Sequence, residues 1–204
     1  MTADHRAERL FNRLLALSVI SWAVLGLWHA APADRWAPVT LSVTALHATV
    51  GVLFWRRRRE LDRAAPGALL QALPALLLSG MAFKWAPQPS QWALALSACF
   101  VLGTLWTVWS LSTLGRSFAV LPARRPLVSR GPYRWVRHPA YLGELLLIQL
   151  VALAAWDAWA AVVCLATVPL TALRILAEEQ GLQEDPGWAA YRISTPWRLL
   201  PGLW

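Results

Sequence analysis

Between Gly131 and Gly143 the chain reads Gly-Pro-Tyr-Arg-Trp-Val-Arg-His-Pro-Ala-Tyr-Leu-Gly, which sets Arg134, Arg137 and His138 directly against a long apolar run. Hydrocarbon solvates charge poorly, so ionisable groups where a chain enters a bilayer point to a polar ligand. Farther along, Arg174 and Glu178 stand four residues apart, on one face of a helix, with Glu179 beside them. Glu144 follows Tyr141 by about one turn inside another apolar stretch, where carboxylates are rarely idle. Both signs of charge and several aromatic rings are what a charged, partly apolar ligand would need at a membrane face.

The elements that position these residues are read from hydropathy. The chain has 204 residues, 57% of them hydrophobic, a mean hydropathy of +0.44 and 14 tryptophans, a membrane composition rather than that of a soluble domain. Six apolar stretches reach or approach the length of a bilayer-crossing helix: 11–28, 39–55, 68–85, 92–114, 141–155 and 159–177. The expectation is an all-α integral membrane protein of about six transmembrane helices. The last two are joined by Trp156-Asp157-Ala158-Trp159 and form a hairpin that returns Glu178 to the membrane face of Tyr141. With no linker or internal repeat, residues 1–204 read as one membrane domain.

The net charge of +8 raises nucleic acid as a partner, but the basic residues alternate loop by loop. With a cytoplasmic N-terminus, all of the 19 Lys and Arg except Arg35 and Lys84 fall in inside segments, as the positive-inside rule requires. Nucleic acid is therefore excluded, and both termini are expected in the cytoplasm. Trp28, Trp36, Trp85, Trp92, Trp156 and Trp159 mark the outer ends as interfacial anchors. Arg6, Arg9 and Arg13 ahead of an apolar run and Ala31-Pro32-Ala33 also fit a cleaved signal, against which the proline in the small-residue site argues. Cys99 and Cys164 lie inside apolar stretches without metal-ligand spacing, His47 reads as a hydrogen-bonded helix residue, and Pro74 and Pro169 as packing kinks; no metal site is expected.

Taken singly, each inside arginine is what any topology determinant would be, and Arg174 with Glu178 is what a helix end carries. A positive-inside loop needs only charge, whereas this one adds helix-breaking Gly-Pro and His-Pro steps and two tyrosines bracketing Arg137 and His138. The order of elements resembles the isoprenylcysteine carboxyl methyltransferase family and its phospholipid-methyltransferase relatives. It runs Leu127-Val128, Gly131-x-Tyr133, Arg137-His138-Pro139-x-Tyr141-x-Gly143, a helical hairpin, Arg174-x-x-x-Glu178-Glu179, Gly187-x-x-x-Tyr191 and a terminal proline. The resemblance covers about the last 90 residues and implies a methyltransferase-like core at 91–204, behind N-terminal helices (1–90) that carry no such signature.

Residue by residue, the resemblance implies that Leu127, Val128, Tyr133, His138, Pro139, Ala140, Tyr141 and Glu178 contact S-adenosylmethionine, with Arg125 where the family often has histidine. Arg174 matches the family's substrate-side arginine. In that chemistry Glu178 pairs with an ammonium, Arg137 and His138 hold a carboxylate, aromatic rings flank adenine or the sulfonium, and Arg174 orients a polar or anionic acceptor. Arg174, Glu178 and Arg137 are thus the expected catalytic set. The expected partners are a lipophilic acceptor taken from the bilayer and membrane lipids, with a bacterial inner membrane as the location. No two glycines lie closer than six residues, so a Gly-rich dinucleotide fingerprint is missing. Two other readings are an NADPH-dependent membrane reductase resembling sterol reductases, disfavoured by the Glu178-Glu179 pair, and a non-catalytic lipid-binding membrane protein.

Overall fold

Proline sets where several helices begin. It lacks the N–H that the first helical turn would leave unbonded anyway and its φ is already helical; Pro32, Pro38 and Pro139 open three α-helices, while Pro89 and Pro132 help start tighter single turns. The structure, a computed structural model, describes residues 3–57, 86–118 and 127–204, with side chains from residue 9 onward. The α-helices among them are α1 (Ala3–His29), α2 (Pro32–Arg35), α3 (Pro38–Arg56), α4 (Leu94–Leu114), α5 (Pro139–Ala155), α6 (Ala158–Leu182) and α7 (Trp188–Ser194). No strand occurs among the described residues, as the all-α expectation required.

Among the described residues four helical segments are long and apolar enough to cross a membrane: Arg9–His29, Pro38–Arg56, Leu94–Ser117 and Ala158–Leu182. The expected stretch 141–155 lies in α5, which has only 17 residues and at 1.5 Å per residue reaches about 25 Å, short of the roughly 30 Å hydrocarbon core. The stretch 68–85 with Pro74 and Lys84, and also Arg124 and Arg125, lie outside the described residues.

The hairpin is sharp. α5 ends on Trp156 in the left-handed conformation (φ 46°), and the Asp157 carboxylate then accepts from Ala160 N–H at 2.7 Å to cap α6. At that same end Ser90 N–H donates to the Asp34 carboxylate at 2.8 Å, and Trp92 packs edge-on against Phe100 at 5.4 Å. The main core continues from there through Val39, Leu147, Ile148, Val151 and Val163. His47 Nδ1–H donates to Val43 O at 2.8 Å, one turn back along its own helix.

α4 carries buried hydroxyls that satisfy themselves: Thr104, Thr107 and Ser110 donate to the carbonyls of Phe100, Gly103 and Trp106 at 2.9, 2.7 and 2.8 Å. Bonding one turn back lets small polar side chains line a helix interface in an apolar setting. Gly143 of α5 packs onto this strip, where a β-carbon would collide with the Thr107 hydroxyl and come within 3.1 Å of Trp106. The close approach seats α5, and Trp106 Nε1–H donating to Pro139 O at 2.9 Å fixes its first turn. Gly143→Ala should therefore lower stability by about 1–3 kcal/mol, read as a drop in thermal midpoint in detergent. Adding Thr107→Ala should restore part of that loss, and additive losses in the double variant would refute the contact.

Candidate functional site

The segment ahead of α5 is shaped by backbone before side chains. Gly131 sits at φ 58°, where a side chain would be strained and its β-carbon would press on Thr113 at 3.0 Å. After the turn Gly131–Arg134, Arg137 N–H and His138 N–H donate to Trp197 O and Arg198 O at 2.8 and 2.9 Å. His138 precedes proline, which disfavours helix for it, and it holds φ −126°, ψ 57°. The C-terminal tail is thereby stitched to the entrance of α5. Tyr191 O–H reinforces the seam by donating to Tyr133 O at 2.8 Å.

Glu179 is the hub of the seam. Arg137 Nε–H donates to its Oε1 at 2.8 Å and His138 Nε2 lies 3.1 Å from the same oxygen. Arg198 holds Oε2 through Nε at 3.0 Å and a second nitrogen at 2.9 Å. Arg137, His138 and Glu179 are each no more than 6% exposed. A buried carboxylate is costly unless paired and hydrogen-bonded, and here several donors converge on it. Arg137 also donates to Thr195 O and Pro196 O at 2.9 and 2.7 Å, and its guanidinium lies 5.8 Å from the Trp188 ring. The carboxylate that Arg137 and His138 hold is thus the protein's own, which makes Arg137 a positioning residue for the tail.

Glu178, adjacent in sequence, points about 100° around the helix and meets a different set. Tyr141 O–H donates to Glu178 Oε2 at 2.7 Å, while Oε1 has no hydrogen-bond partner among the described residues. Glu178 is half-buried. Beside it, Arg174 lies with its guanidinium carbon 4.7 Å from the Tyr141 ring centroid and donates to the Glu144 carboxylate at 3.1 Å. Arg174 therefore pairs across the hairpin with Glu144 and stacks on Tyr141, instead of bridging to Glu178 along its own helix. Burial, and then the nearby Glu178 carboxylate and Tyr191, push the Tyr133 hydroxyl well above its usual range, so it stays protonated.

The fold thus brings Tyr133, His138, Pro139, Ala140, Tyr141, Arg174 and Glu178 to one end of the α5–α6 hairpin. Leu127 and Val128 are half-buried, and Leu127 reaches within 3.5 Å of where a β-carbon on Gly187 would stand. Arg125 lies outside the described residues. Sequence reasoning left out the seam itself: Glu179 as hub, Arg198 as its second clamp, and the carbonyls of Thr195 and Pro196 on Arg137. The available signal was the pairing of two X-Pro steps, His138-Pro139 and Thr195-Pro196, each of which favours extended backbone.

Neutralising the hub should unseat the tail. Glu179→Gln leaves the buried Arg137 and the half-buried Arg198 facing an amide, and stranding a buried charge is a class of change that costs about 3–5 kcal/mol. The expected result is a large drop in thermal midpoint together with faster proteolysis after residue 182. Glu178→Gln, at a half-buried position with one hydrogen bond, should shift the midpoint far less; equal losses would remove the distinction between the two glutamates.

Comparison with known proteins agrees with the motifs. Over 104 residues the chain is 35% identical to the uncharacterized protein YpbQ of Bacillus subtilis (strain 168), covering 48% of this chain and 60% of that relative. No solved structure matches it. The sequence model of the isoprenylcysteine carboxyl methyltransferase (ICMT) family matches residues 94–184, from α4 through the hairpin to both glutamates, the segment that carries Arg-His-Pro-x-Tyr-x-Gly and Arg-x-x-x-Glu-Glu.

Proposed function

We propose that the protein is an integral membrane methyltransferase that uses S-adenosylmethionine and modifies a lipophilic or membrane-associated acceptor bearing a carboxylate or other polar head. The observation that carries this reading is Glu178: a half-buried carboxylate oriented by Tyr141, one oxygen open, beside Arg174 and Tyr133. The residues present fit the donor. An open carboxylate oxygen suits its ammonium, the Tyr133 and Tyr141 rings suit a cationic sulfonium or adenine, and Leu127, Val128, Pro139 and Ala140 suit its apolar surfaces. Bound there, the donor would supply a methyl group on a positively charged sulfur, open to in-line attack.

The chain's own part is alignment and exclusion of water. Tyr141 does two jobs, fixing Glu178 through its hydroxyl and supporting Arg174 through its ring. Arg174, with Glu144 as counter-charge, is placed to orient the acceptor's polar head. Arg137 and His138 act at one remove by holding Glu179 and the tail. The distribution of basic residues supports a site at the cytoplasmic face with both termini on that side, and a bacterial inner membrane as the location. The short α5 supports an acceptor entering laterally, since the site then lies at the depth where a lipid's head meets its chain.

Binding and turnover test this directly. The purified protein in detergent or nanodiscs should bind S-adenosylmethionine and its demethylated product by calorimetry. Binding of NADPH in their place would establish the reductase reading, and binding of none would defeat the methyltransferase. Glu178→Gln should weaken donor binding by about tenfold or more, the usual worth of a hydrogen bond to a charged group. Arg174→Ala should leave donor binding within a few-fold while lowering methyl incorporation into extracted lipids from labelled donor. Wild-type behaviour in both variants would show the site to be elsewhere.

A further inference from the structure

At the same end of the helices as the site, but between α3 and α4, a groove of about 510 Å3 is lined by Ala48, Val52, Arg56, Ser112, Gly115 and Arg116 among others, and it shares no lining residue with the surroundings of Glu178. Two cations line it. Neither the Arg56 nor the Arg116 guanidinium has a hydrogen-bond or ion-pair partner among the described residues. Their neighbours differ: Arg13 lies over the Trp55 ring at 5.4 Å, and Arg57 lies 5.9 Å from the Phe54 ring and donates to Asn12 Oδ1 at 3.5 Å. The location of Arg116 is also specified, because Gly115 ends α4 at φ 52°, ψ −116°, which side-chain-bearing residues rarely adopt, and starts the turn Gly115–Ser117.

We propose that this groove binds an anionic phospholipid, with the phosphate between Arg56 and Arg116 and an acyl chain along α3. Two like charges brought together repel, and a phosphate between them converts that cost into two charge-assisted contacts. The rest of the groove selects a lipid over a soluble anion. Ala48, Val52 and Arg56 are spaced i, i+4, i+8, so one stripe of α3 runs from apolar side chains at bilayer depth to a guanidinium at the rim. Val52 is 43% exposed, leaving an apolar wall available to a chain. From the last turn of α4 Ser112 adds a hydroxyl, and Arg116 follows in the turn Gly115–Ser117. A positive-inside signal needs charge alone; two arginines unpartnered among the described residues, lining one groove with an apolar stripe, match a head and a tail.

The test uses the full-length protein, purified in mild detergent and offered phosphatidylglycerol, phosphatidylcholine or inorganic phosphate, with retained lipid counted by native mass spectrometry and stability followed by thermal midpoint. Phosphatidylglycerol should be retained preferentially and raise the midpoint, and Arg56→Gln/Arg116→Gln should cut that preference roughly tenfold or more, as expected for two arginines near an anionic headgroup. A control that removes two exposed charges of the same sign, Arg130→Gln/Arg192→Gln, should leave it within about twofold. Equal retention of both lipids by the wild type, or equal loss in the control pair, would overturn the proposal. Stabilisation by inorganic phosphate matching that by phosphatidylglycerol would assign the groove to soluble anions and overturn the lipid. Unfolding of the double variant is detected by its size-exclusion profile and helical circular dichroism; if it unfolds, Val52→Asp, which spoils only the apolar stripe, should lower retention, and unchanged retention there also defeats the proposal.

Discussion

One carboxylate organises the end of the molecule that carries the candidate site. Glu179 is buried, and a buried charge must be met from several directions to be tolerated. Arg137 and His138 come from the entrance of α5 and Arg198 from the tail, so three separate parts of the chain must converge for the charge to be satisfied. The backbone bonds from Arg137 and His138 to Trp197 and Arg198 follow the same line. Removing any partner leaves the others uncompensated, which makes the ensemble cooperative and lets a short tail stay docked without a large apolar core of its own. That core is small: Leu145, Ile175 and Leu199, with Tyr141, Leu142 and Trp204 against them.

What the sequence made legible follows from periodicity and short range. Apolar length gave the helices, proline and glycine gave their ends, and a short connection gave the hairpin that brings Tyr141 to Glu178. The contact between them at 2.7 Å is a direct consequence of helices of known rise joined by a tight turn. Arg174 illustrates the limit. Spacing places it on the face of Glu178, yet it pairs with Glu144 of the neighbouring helix, because an interhelical partner on a packed seam competes with the partner one turn away. The hub at Glu179 was beyond reach for a related reason: its partners are separated from it by 42, 41 and 19 residues, and no local pattern encodes which of two adjacent glutamates turns inward.

The adjacency of those glutamates is itself a constraint. Neighbouring helical residues diverge by about 100°, so the two carboxylates cannot serve one site as equals. One is buried among cations and spent on structure. The other remains half-buried, with a single donor and an open oxygen among the described residues, so desolvation does not force it to be fully paired within the protein. A site that must accept a cationic group needs an anion that is oriented but not satisfied, and the division between Glu179 and Glu178 supplies that difference from two identical side chains.

Depth completes the constraint. α5 and α6 start from a common turn, yet α5 has 17 residues and α6 has 25, so α6 extends about 12 Å beyond the start of α5 at 1.5 Å per residue. The space left by the shorter helix is where Tyr133, His138, the tail and the outer turns of α6 assemble. If α5 ran the full span of its partner, Arg174 and Glu178 would be covered by apolar helix and their charges would have no polar surroundings. Starting α5 at Pro139 instead leaves the last turns of α6 facing the polar groups of the tail and of the segment ahead of α5 while the hairpin stays anchored at the tryptophan-rich end, and Trp106, bonded to the Pro139 carbonyl, fixes where α5 begins.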